Sequence, residues 1–293
     1  MGNKRSSTHV KTRKMKTMNC HPAVVGDTIN RKSCYTRKVL NSIKNAYNKN
    51  NKESKILSND GKDIYNKLSM NLKNCRDESC WLNQTSISER ISLHNQSFTP
   101  NKPMEWKDNP VEWLSNFDIL NVLKQYEEKH SDFKFIGPSP IDFDLIPRGG
   151  YKCVSQELCQ FKLQNYNEMG IKKIGVIFNL DKHDESGSHW VSLFISIEDS
   201  LIYYFDSAAN KMPHEIKKFV ETVLSQSSNK KMKFITNIPH QHQYGDTECG
   251  MYSLYFIITM LNESMTMRKK INLFSKKHLN DKFIESFRGK YFN

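Results

Sequence analysis

The sequence predicts an α+β fold in its second part, a mixed sheet flanked by helices, with a small basic helical region before it. Residues 173–180 and 201–205 are runs of apolar, β-branched and aromatic residues, which are typical of buried strands. Apolar residues recur at helical spacing in 210–224. Residues 250–261 are apolar on every side, as expected for a buried helix. Strands interleaved with helices favour the α+β class.

The remaining elements follow in chain order. Helical spacing of Val39, Leu40, Ile43 and Tyr47, and then of Ile64, Leu68 and Leu72, predicts a small helical hairpin. A capping pattern ahead of Ile119 predicts a helix within 110–123. Further strands are predicted at 133–136, 190–195 and 233–236, and a basic helical tail closes the chain.

Composition narrows the class of protein. The chain has 293 residues, 37% of them hydrophobic and 26% charged, which is too apolar for a wholly disordered protein. No apolar run approaches the ~18 residues that span a bilayer, and no apolar signal core is present at the start. Seven irregularly spaced cysteines do not form a secreted disulfide framework. We therefore expect a soluble intracellular protein whose cysteines are thiols.

The excess positive charge is concentrated at one end. Residues 1–105 hold 20 Lys and Arg against 8 Asp and Glu, whereas residues 106–293 hold 24 against 23. We predict a basic disordered arm at 1–19, a helical region at 20–82, a polar linker at 83–105 and a catalytic domain at 106–293. The basic part suits nonspecific binding of nucleic acid or of an acidic partner, or is simply a solvated face. The first six residues also match a short acylation pattern that would modify Gly2.

Six cysteines lie outside the candidate catalytic site. We interpret them as unpaired structural or surface thiols. A Cys/His zinc site is the alternative for four of them, although their spacing is loose. The four are Cys20 (followed by His21), Cys34, Cys75 and Cys80, and the other two are Cys153 and Cys159.

Four residues of the second part fit one mechanism of nucleophilic catalysis. Cys249 stands where a helix begins, so the helix dipole and unsatisfied backbone N–H groups favour its thiolate. His189 precedes one predicted strand and Asp206 follows the next, which brings them together if the strands form a hairpin. The imidazole would then pair with the thiolate, and the carboxylate would orient the imidazole. Gln243 would donate to the oxyanion with the Cys249 N–H.

This order of residues resembles the Ulp/SENP-type cysteine proteases, a group that includes adenain. The matching positions are His189-Trp190, Asp206, Gln243 and Cys249-Gly250, over roughly residues 105–290. The segment 113–119, which contains Asp118, is similar to the family's early segment at the start of the substrate cleft. The resemblance implies substrate-binding roles for Trp190, Asp118 and Gly250. Two Gln occupy the longer loop before the nucleophile, so Gln241 stays an alternative to Gln243.

Within the family, the chain most resembles the thiol proteases of large cytoplasmic DNA viruses. That resemblance implies a processing endopeptidase that cleaves viral core or structural precursors after small residues, in Gly-Gly-X sequences. It also implies a location in the virion and the host cytoplasm. The proposed chemistry needs no metal and no organic cofactor. The oligomeric state and any activator stay undetermined by the sequence.

Three other functions stay open from the sequence. An isopeptidase that removes ubiquitin or a ubiquitin-like modifier would use the same four residues on another substrate. An acetyltransferase would use the His-acid-Cys set on acetyl-CoA. A non-enzymatic protein would bind nucleic acid through its basic arm, although the intact set of catalytic residues argues against this.

Overall fold

The computed structural model describes residues 15–30, 32–227 and 231–293. The chain divides into two compact units, one ending at Thr99 and the other beginning at Pro100. The predicted basic arm and the Gly2 pattern lie almost entirely outside the described residues, which begin at Met15. No helix in the described ranges is both long and apolar enough to cross a membrane.

The first unit is helical, as predicted. Its helices are α1 (Arg37–Asn50), α2 (Gly61–Asn71) and α3 (Ile87–Ser97), and short 3₁₀ segments lie between them. The side chains of Thr36, Asp60 and Ser86 cap the three helices by accepting from a backbone N–H three residues on. The apolar stripes of α1 and α2 face each other around the buried rings of Tyr35 and Trp81.

The structure differs from the predicted boundaries at both ends of this unit. The segment 83–105 was predicted to be a polar linker, but it contains α3, and a 3₁₀ turn at Met104–Lys107 begins before it ends. Ser86 supplies the cap that starts α3, and Leu93 packs into the core of the unit. The last residues of the predicted disordered arm are also ordered, since Lys16 forms a β-bridge with Asp77.

The interpretation of six cysteines as unpaired thiols is wrong in this structure. Three disulfides join them: Cys20–Cys34, Cys75–Cys80 and Cys153–Cys159. The Cα atoms of these pairs lie 4.9, 5.5 and 6.3 Å apart, within the range that a disulfide spans. The pairing also removes the thiolates that the alternative zinc site required. Among the described residues, no group of three or more His, Cys, Asp or Glu side chains could hold a metal ion.

The second unit is built on a five-stranded mixed sheet, which confirms the predicted α+β fold. Its strands, in spatial as well as chain order, are β1 (Phe133–Pro140), β2 (Lys173–Asn179), β3 (Trp190–Ser196), β4 (Leu201–Phe205) and β5 (Lys233–Thr236). The pairs β1–β2 and β4–β5 are parallel, and β2–β3 and β3–β4 are antiparallel. All residues of β3 and β4 are buried, which explains their continuous apolar runs.

Helices cover both faces of the sheet. The helices of this unit are α4 (Asn116–Lys129), α5 (Gln156–Cys159), α6 (Leu163–Glu168), α7 (His214–Gln226), α8 (Cys249–Leu261), α9 (Met267–Lys276), α10 (Asp281–Glu285) and α11 (Arg288–Tyr291). One apolar core contains residues of α4 and α8 to α11, and the other contains residues of α5 to α7. The sheet is therefore buried between two helical layers.

Helix α8 is the central helix of the first core. It packs against β2, β3 and α4, and eleven of its thirteen residues are buried. The Phe256 ring stacks on the Phe205 ring of β4 with centroids 4.8 Å apart, and it meets the Phe274 ring of α9 edge-on at 5.0 Å. These two ring contacts fix the position of α8 on the sheet. The first residue of α8 is therefore held against the ends of β3 and β4.

Replacement of Phe256 by alanine should destabilise the second unit by about 3–5 kcal/mol, because it leaves a cavity between β4, α8 and α9. Urea unfolding followed by tryptophan fluorescence measures this loss. The matched control is Phe117→Ala, in which the removed ring is 70% exposed. A loss for Phe256→Ala no larger than that of the control would contradict this account of the core.

Candidate active site

The candidate nucleophile is the first residue of α8. Cys249 is 2% exposed, and it is the one cysteine of the seven that lies outside the disulfides. Because it begins a thirteen-residue helix, its thiol lies beside the unpaired N–H groups and the positive end of the helix dipole. That environment favours the thiolate, which is the nucleophilic form of cysteine.

The hairpin of β3 and β4 brings the candidate base and its orienting acid together. His189 directly precedes β3 and Asp206 directly follows β4, and the pairing of Ser192 with Phe205 places the two strand ends side by side. The His189 Nε2 lies 2.7 Å from the Asp206 Oδ1. Because Nε2 is bonded to the carboxylate, Nδ1 is the nitrogen that can exchange a proton with the thiol.

The His189 imidazole is held in its charged form. Burial lowers its pKa, but the hydrogen bonds and negative charges of Asp206 and Cys249 act in the opposite direction and raise the pKa to about 9. The Cys249 thiol is thus a direct partner of the imidazole. Near neutral pH the imidazole is therefore protonated.

A network that the sequence did not reveal holds the Asp206 side chain and backbone. The carboxylate, which is 0% exposed, accepts from the backbone N–H groups of Ala208 and Asn210 at 2.9 and 3.0 Å. The Asn237 amide accepts from the Asp206 N–H at 3.0 Å and donates to its carbonyl at 2.7 Å. In the sequence, the polar turn after Asp206 was a signal for the contacts of its carboxylate with Ala208 and Asn210. No local pattern indicated the contact with Asn237.

Gln243 is the buried glutamine of the loop before the nucleophile. Its Oε1 accepts from the Ser207 hydroxyl at 2.7 Å, and its Nε2 donates to the Gly245 carbonyl at 2.8 Å. The Ser207 carbonyl in turn accepts from the Gln243 backbone N–H at 2.9 Å. Gln241, the alternative, is exposed and donates to the Gln243 carbonyl. The amide of Gln243 therefore has one fixed orientation next to the residue that follows Asp206.

His242 of the same loop is a buried residue, although its polar surroundings in the sequence are typical of a surface loop. Its ring is fully buried, with Nε2 2.8 Å from the Phe274 carbonyl and Nδ1 accepting from the Leu279 N–H at 3.2 Å. Burial lowers its pKa to about 4, with smaller contributions in the same direction from His240 and His278. A neutral ring that donates at Nε2 and accepts at Nδ1 satisfies both contacts.

The residues expected to bind substrate lie in and beside one cleft. Trp190 and Asp118 line a cavity of about 1020 Å³ that lies within the second unit. The Trp190 Nε1 donates to the Leu114 carbonyl at 3.2 Å, and a Cβ added at Gly250 would lie 3.1 Å from the Leu114 Cβ and 3.3 Å from the Trp190 ring. A side chain at this position would therefore require Leu114 and Trp190 to shift by a few tenths of an ångström. The Asp118 carboxylate accepts from Ser115 and caps α4.

The site joins a helix-start cysteine, an imidazole partner and a buried carboxylate on an α+β scaffold, which are the groups that thiol-dependent hydrolysis requires. Residues 162–292 match the Ulp1 protease family, C-terminal catalytic domain. The matched part of the second unit, from α6 to α11, is therefore similar to the catalytic domain of the Ulp1 family of cysteine proteases, in agreement with the resemblance found in the sequence.

Relatives of the chain are viral thiol proteases. It is 32% identical over 196 residues to a putative thiol protease of Acanthamoeba polyphaga mimivirus, a match that covers 60% of this chain and only 61% of that protein's length. It is 27% identical over 206 residues to the SUMO-1 cysteine protease of African swine fever virus, covering 64% and 74% of the two chains. A crystal structure of an African swine fever virus protease matches 97% of this chain and 98% of that chain with a TM-score of 0.64 at 21% identity, which shows a shared fold.

The pKa of the His189 imidazole should fall when the carboxylate is neutralised. In the Asp206→Asn variant, burial is no longer opposed by the Asp206 charge, so the pKa of the imidazole should lie well below its value of about 9 in the unmodified protein. NMR titration of the histidine ring protons measures this, and a His189→Gln variant assigns the signal. The matched control is Asp142→Asn, which removes the carboxylate 2.7 Å from the His183 ring. A His189 titration unchanged in Asp206→Asn would contradict the pairing.

The buried neutral ring of His242 should make the fold sensitive to acid. Its folded pKa of about 4 lies below the usual 6.5, so its contribution to stability is present above pH 6.5 and is lost as the pH falls towards 4. The free energy of unfolding should therefore fall less between pH 7 and pH 5 in His242→Gln than in the unmodified protein. The control is His183→Gln, since the Asp142 hydrogen bond raises the His183 pKa. Equal pH dependence in all three proteins would contradict this assignment.

Proposed function

We propose that the protein is a thiol endopeptidase that hydrolyses peptide bonds through an acyl-enzyme on Cys249. The single observation that supports this most strongly is the contact of the His189 ring with a buried carboxylate on one side and with the helix-start thiol on the other. In this mechanism the Cys249 thiolate attacks the scissile carbonyl carbon. The His189 imidazolium then protonates the leaving amine, and the neutral ring later takes a proton from the water that hydrolyses the thioester.

The oxyanion of the tetrahedral intermediate has two proposed donors. The Cys249 backbone N–H belongs to the first turn of α8, where N–H groups have no partner within the helix. The Gln243 Nε2 carries two hydrogens, and the Gly245 carbonyl takes one of them. The second can be offered to the oxyanion, and the Ser207 contact at Oε1 keeps the amide from turning over.

We propose that the substrate presents small residues before the scissile bond, as in Gly-Gly-X. Trp190 and Leu114 close on Gly250 directly behind the nucleophile, which supports a narrow approach to the thiol. Trp190 and Asp118 line the adjoining cleft, where an extended chain would lie. Core or structural precursor proteins of a large DNA virus are the proposed substrates, because the relatives belong to such viruses.

Removal of a ubiquitin-like modifier is the second candidate. It keeps the same chemistry, and the name of the African swine fever virus relative, SUMO-1 cysteine protease, favours it. A modifier ending in Gly-Gly would meet the same narrow approach. The two candidates differ in whether the enzyme needs the folded body of the modifier or only the residues around the bond.

We also propose a role for the basic charge of residues 1–105 in binding nucleic acid or an acidic partner inside a viral particle or factory. The excess of 20 Lys and Arg over 8 Asp and Glu supports this. Such an interaction would weaken steeply with salt.

Cleavage of Gly-Gly-X peptides by the purified full chain tests the proposal. Cys249→Ala and His189→Ala should each lower kcat/KM by about a thousandfold or more, because the residues act as one unit. His214→Ala, an exposed histidine at the start of α7, is the matched control with unchanged activity. A ubiquitin-like modifier with a C-terminal reporter is assayed in parallel. Turnover of the modifier alone would favour the isopeptidase, and cleavage that persists in Cys249→Ala would overturn the mechanism.

A further inference from the structure

The loop that carries Gln243 is held in place by the segment that runs from the last turn of α9 to the first residue of α10. We call residues 242–245 the oxyanion loop and residues 274–281 the cradle. Both lie in the second unit. Ser207 also bonds to the loop, so two separate segments of the chain hold it. Such bonding matters because an oxyanion donor is effective only when it is positioned before the reaction.

Asp281 makes the densest contacts from the cradle. Its Oδ2 accepts from the backbone N–H groups of Tyr244 at 3.1 Å and of Gly245 at 3.0 Å. Its Oδ1 lies 2.9 Å from the hydroxyl of Tyr252, a buried residue one turn along α8 from the nucleophile. The carboxylate therefore ties the oxyanion loop to the helix that presents Cys249.

The other cradle contacts act in the same direction. The Leu279 N–H donates to the His242 ring and the Phe274 carbonyl lies 2.8 Å from its other nitrogen. The Tyr252 hydroxyl lies 2.6 Å from the Leu279 carbonyl and 3.2 Å from the His242 carbonyl. These contacts place the start of the loop, whereas Asp281 places its end.

The end of the loop is the part that determines where the Gln243 amide points. The Gly245 carbonyl accepts from the Gln243 Nε2, and the Gly245 N–H donates to Asp281. The position of the Gly245 backbone therefore depends on Asp281 through its N–H and sets the orientation of the donor through its carbonyl. Loss of the carboxylate would free two backbone N–H groups and allow Gly245 to move with its carbonyl.

We propose that Asp281 is a positioning residue of the oxyanion site, acting on Gln243 through the Gly245 peptide. This inference rests on the proposed function, because it assigns the Gln243 amide to the oxyanion. A carboxylate suits the position because one oxygen accepts from two N–H groups. The other oxygen lies 2.9 Å from the Tyr252 hydroxyl, whose one hydrogen is shared with the carbonyls of Leu279 and His242. Asparagine keeps one acceptor oxygen for the loop and should act as a partial replacement.

The test is a double-variant cycle of Asp281→Ala and Gln243→Ala, with kcat and KM for a Gly-Gly-X peptide. Asp281→Ala alone should lower kcat by about tenfold to a hundredfold, with KM changed less than about threefold. In the Gln243→Ala background the same change should cost less than about threefold, because the group that Asp281 positions is gone. Asp281→Asn should recover most of kcat. Full additivity of the two changes would overturn the proposal.

Two further readouts separate positioning from general damage. Iodoacetamide alkylation of Cys249 should keep its rate and pH dependence in Asp281→Ala, because the imidazole pair is not touched. A fall in alkylation as large as the fall in kcat would show that the whole site had been disturbed. The control is Asp246→Asn. This variant removes one negative charge, as Asp281→Ala does, at an exposed residue next to the loop. It should retain full kcat.

Amide hydrogen exchange keeps this inference distinguishable from the proposed function. Backbone amides of Tyr244 and Gly245 should exchange at least about tenfold faster in Asp281→Ala than in the unmodified protein, whether or not any peptide is cleaved. Unchanged exchange there would overturn the contact. If the unmodified protein cleaves no Gly-Gly-X peptide while exchange rises as expected, the proposed substrate has failed and the assignment of Asp281 to this loop stands.

Discussion

The active site depends on a buried carboxylate that must have all of its hydrogen bonds satisfied. Asp206 has no exposed surface, and an unpaired charge in that position would cost several kcal/mol. Two backbone N–H groups of the following turn and the His189 ring supply its partners, while Asn237 holds its backbone from the loop after β5. The need to satisfy one side chain thus fixes a turn, a strand end and the orientation of the imidazole.

Different layers of the domain contribute the parts of the site. The sheet presents His189 and Asp206, α8 presents Cys249, and the loop before α8 presents Gln243. The distance between imidazole and thiol is consequently set by how α8 packs on the sheet, through the stacked rings of Phe205 and Phe256. A side chain far from the chemistry can therefore alter reactivity, because a shift of about 1 Å at the nucleophile is enough to slow catalysis strongly.

Local patterns in the sequence predicted the elements and the strand-end residues of the site. The apolar runs of β2 to β4 and of α8 directly indicate that these elements are buried. A hairpin necessarily brings together the residues at its open end. Helix α3 was missed because Ile87 and Ile91 are exposed and only Leu93 and Ser97 are buried, so it shows little apolar periodicity. The disulfides were missed because the irregular spacing of seven cysteines favoured free thiols, and spacing does not show which cysteines come close together in the fold.

Contacts between distant segments could not be predicted from the sequence, and the reason is physical. A hydrogen bond from a side chain to a backbone N–H requires only an acceptor at the correct point in space, so it leaves no periodic signature and no residue-type pattern on the segment that donates. Asn237 and Asp281 both act on backbone groups in this way. Such contacts position a site without touching substrate, and they can be identified only from the tertiary structure. The roles proposed for Cys249 and His189 can be inferred from the sequence because their own side chains would perform the chemistry. The groups that position them can be recognised only by where they lie in the structure.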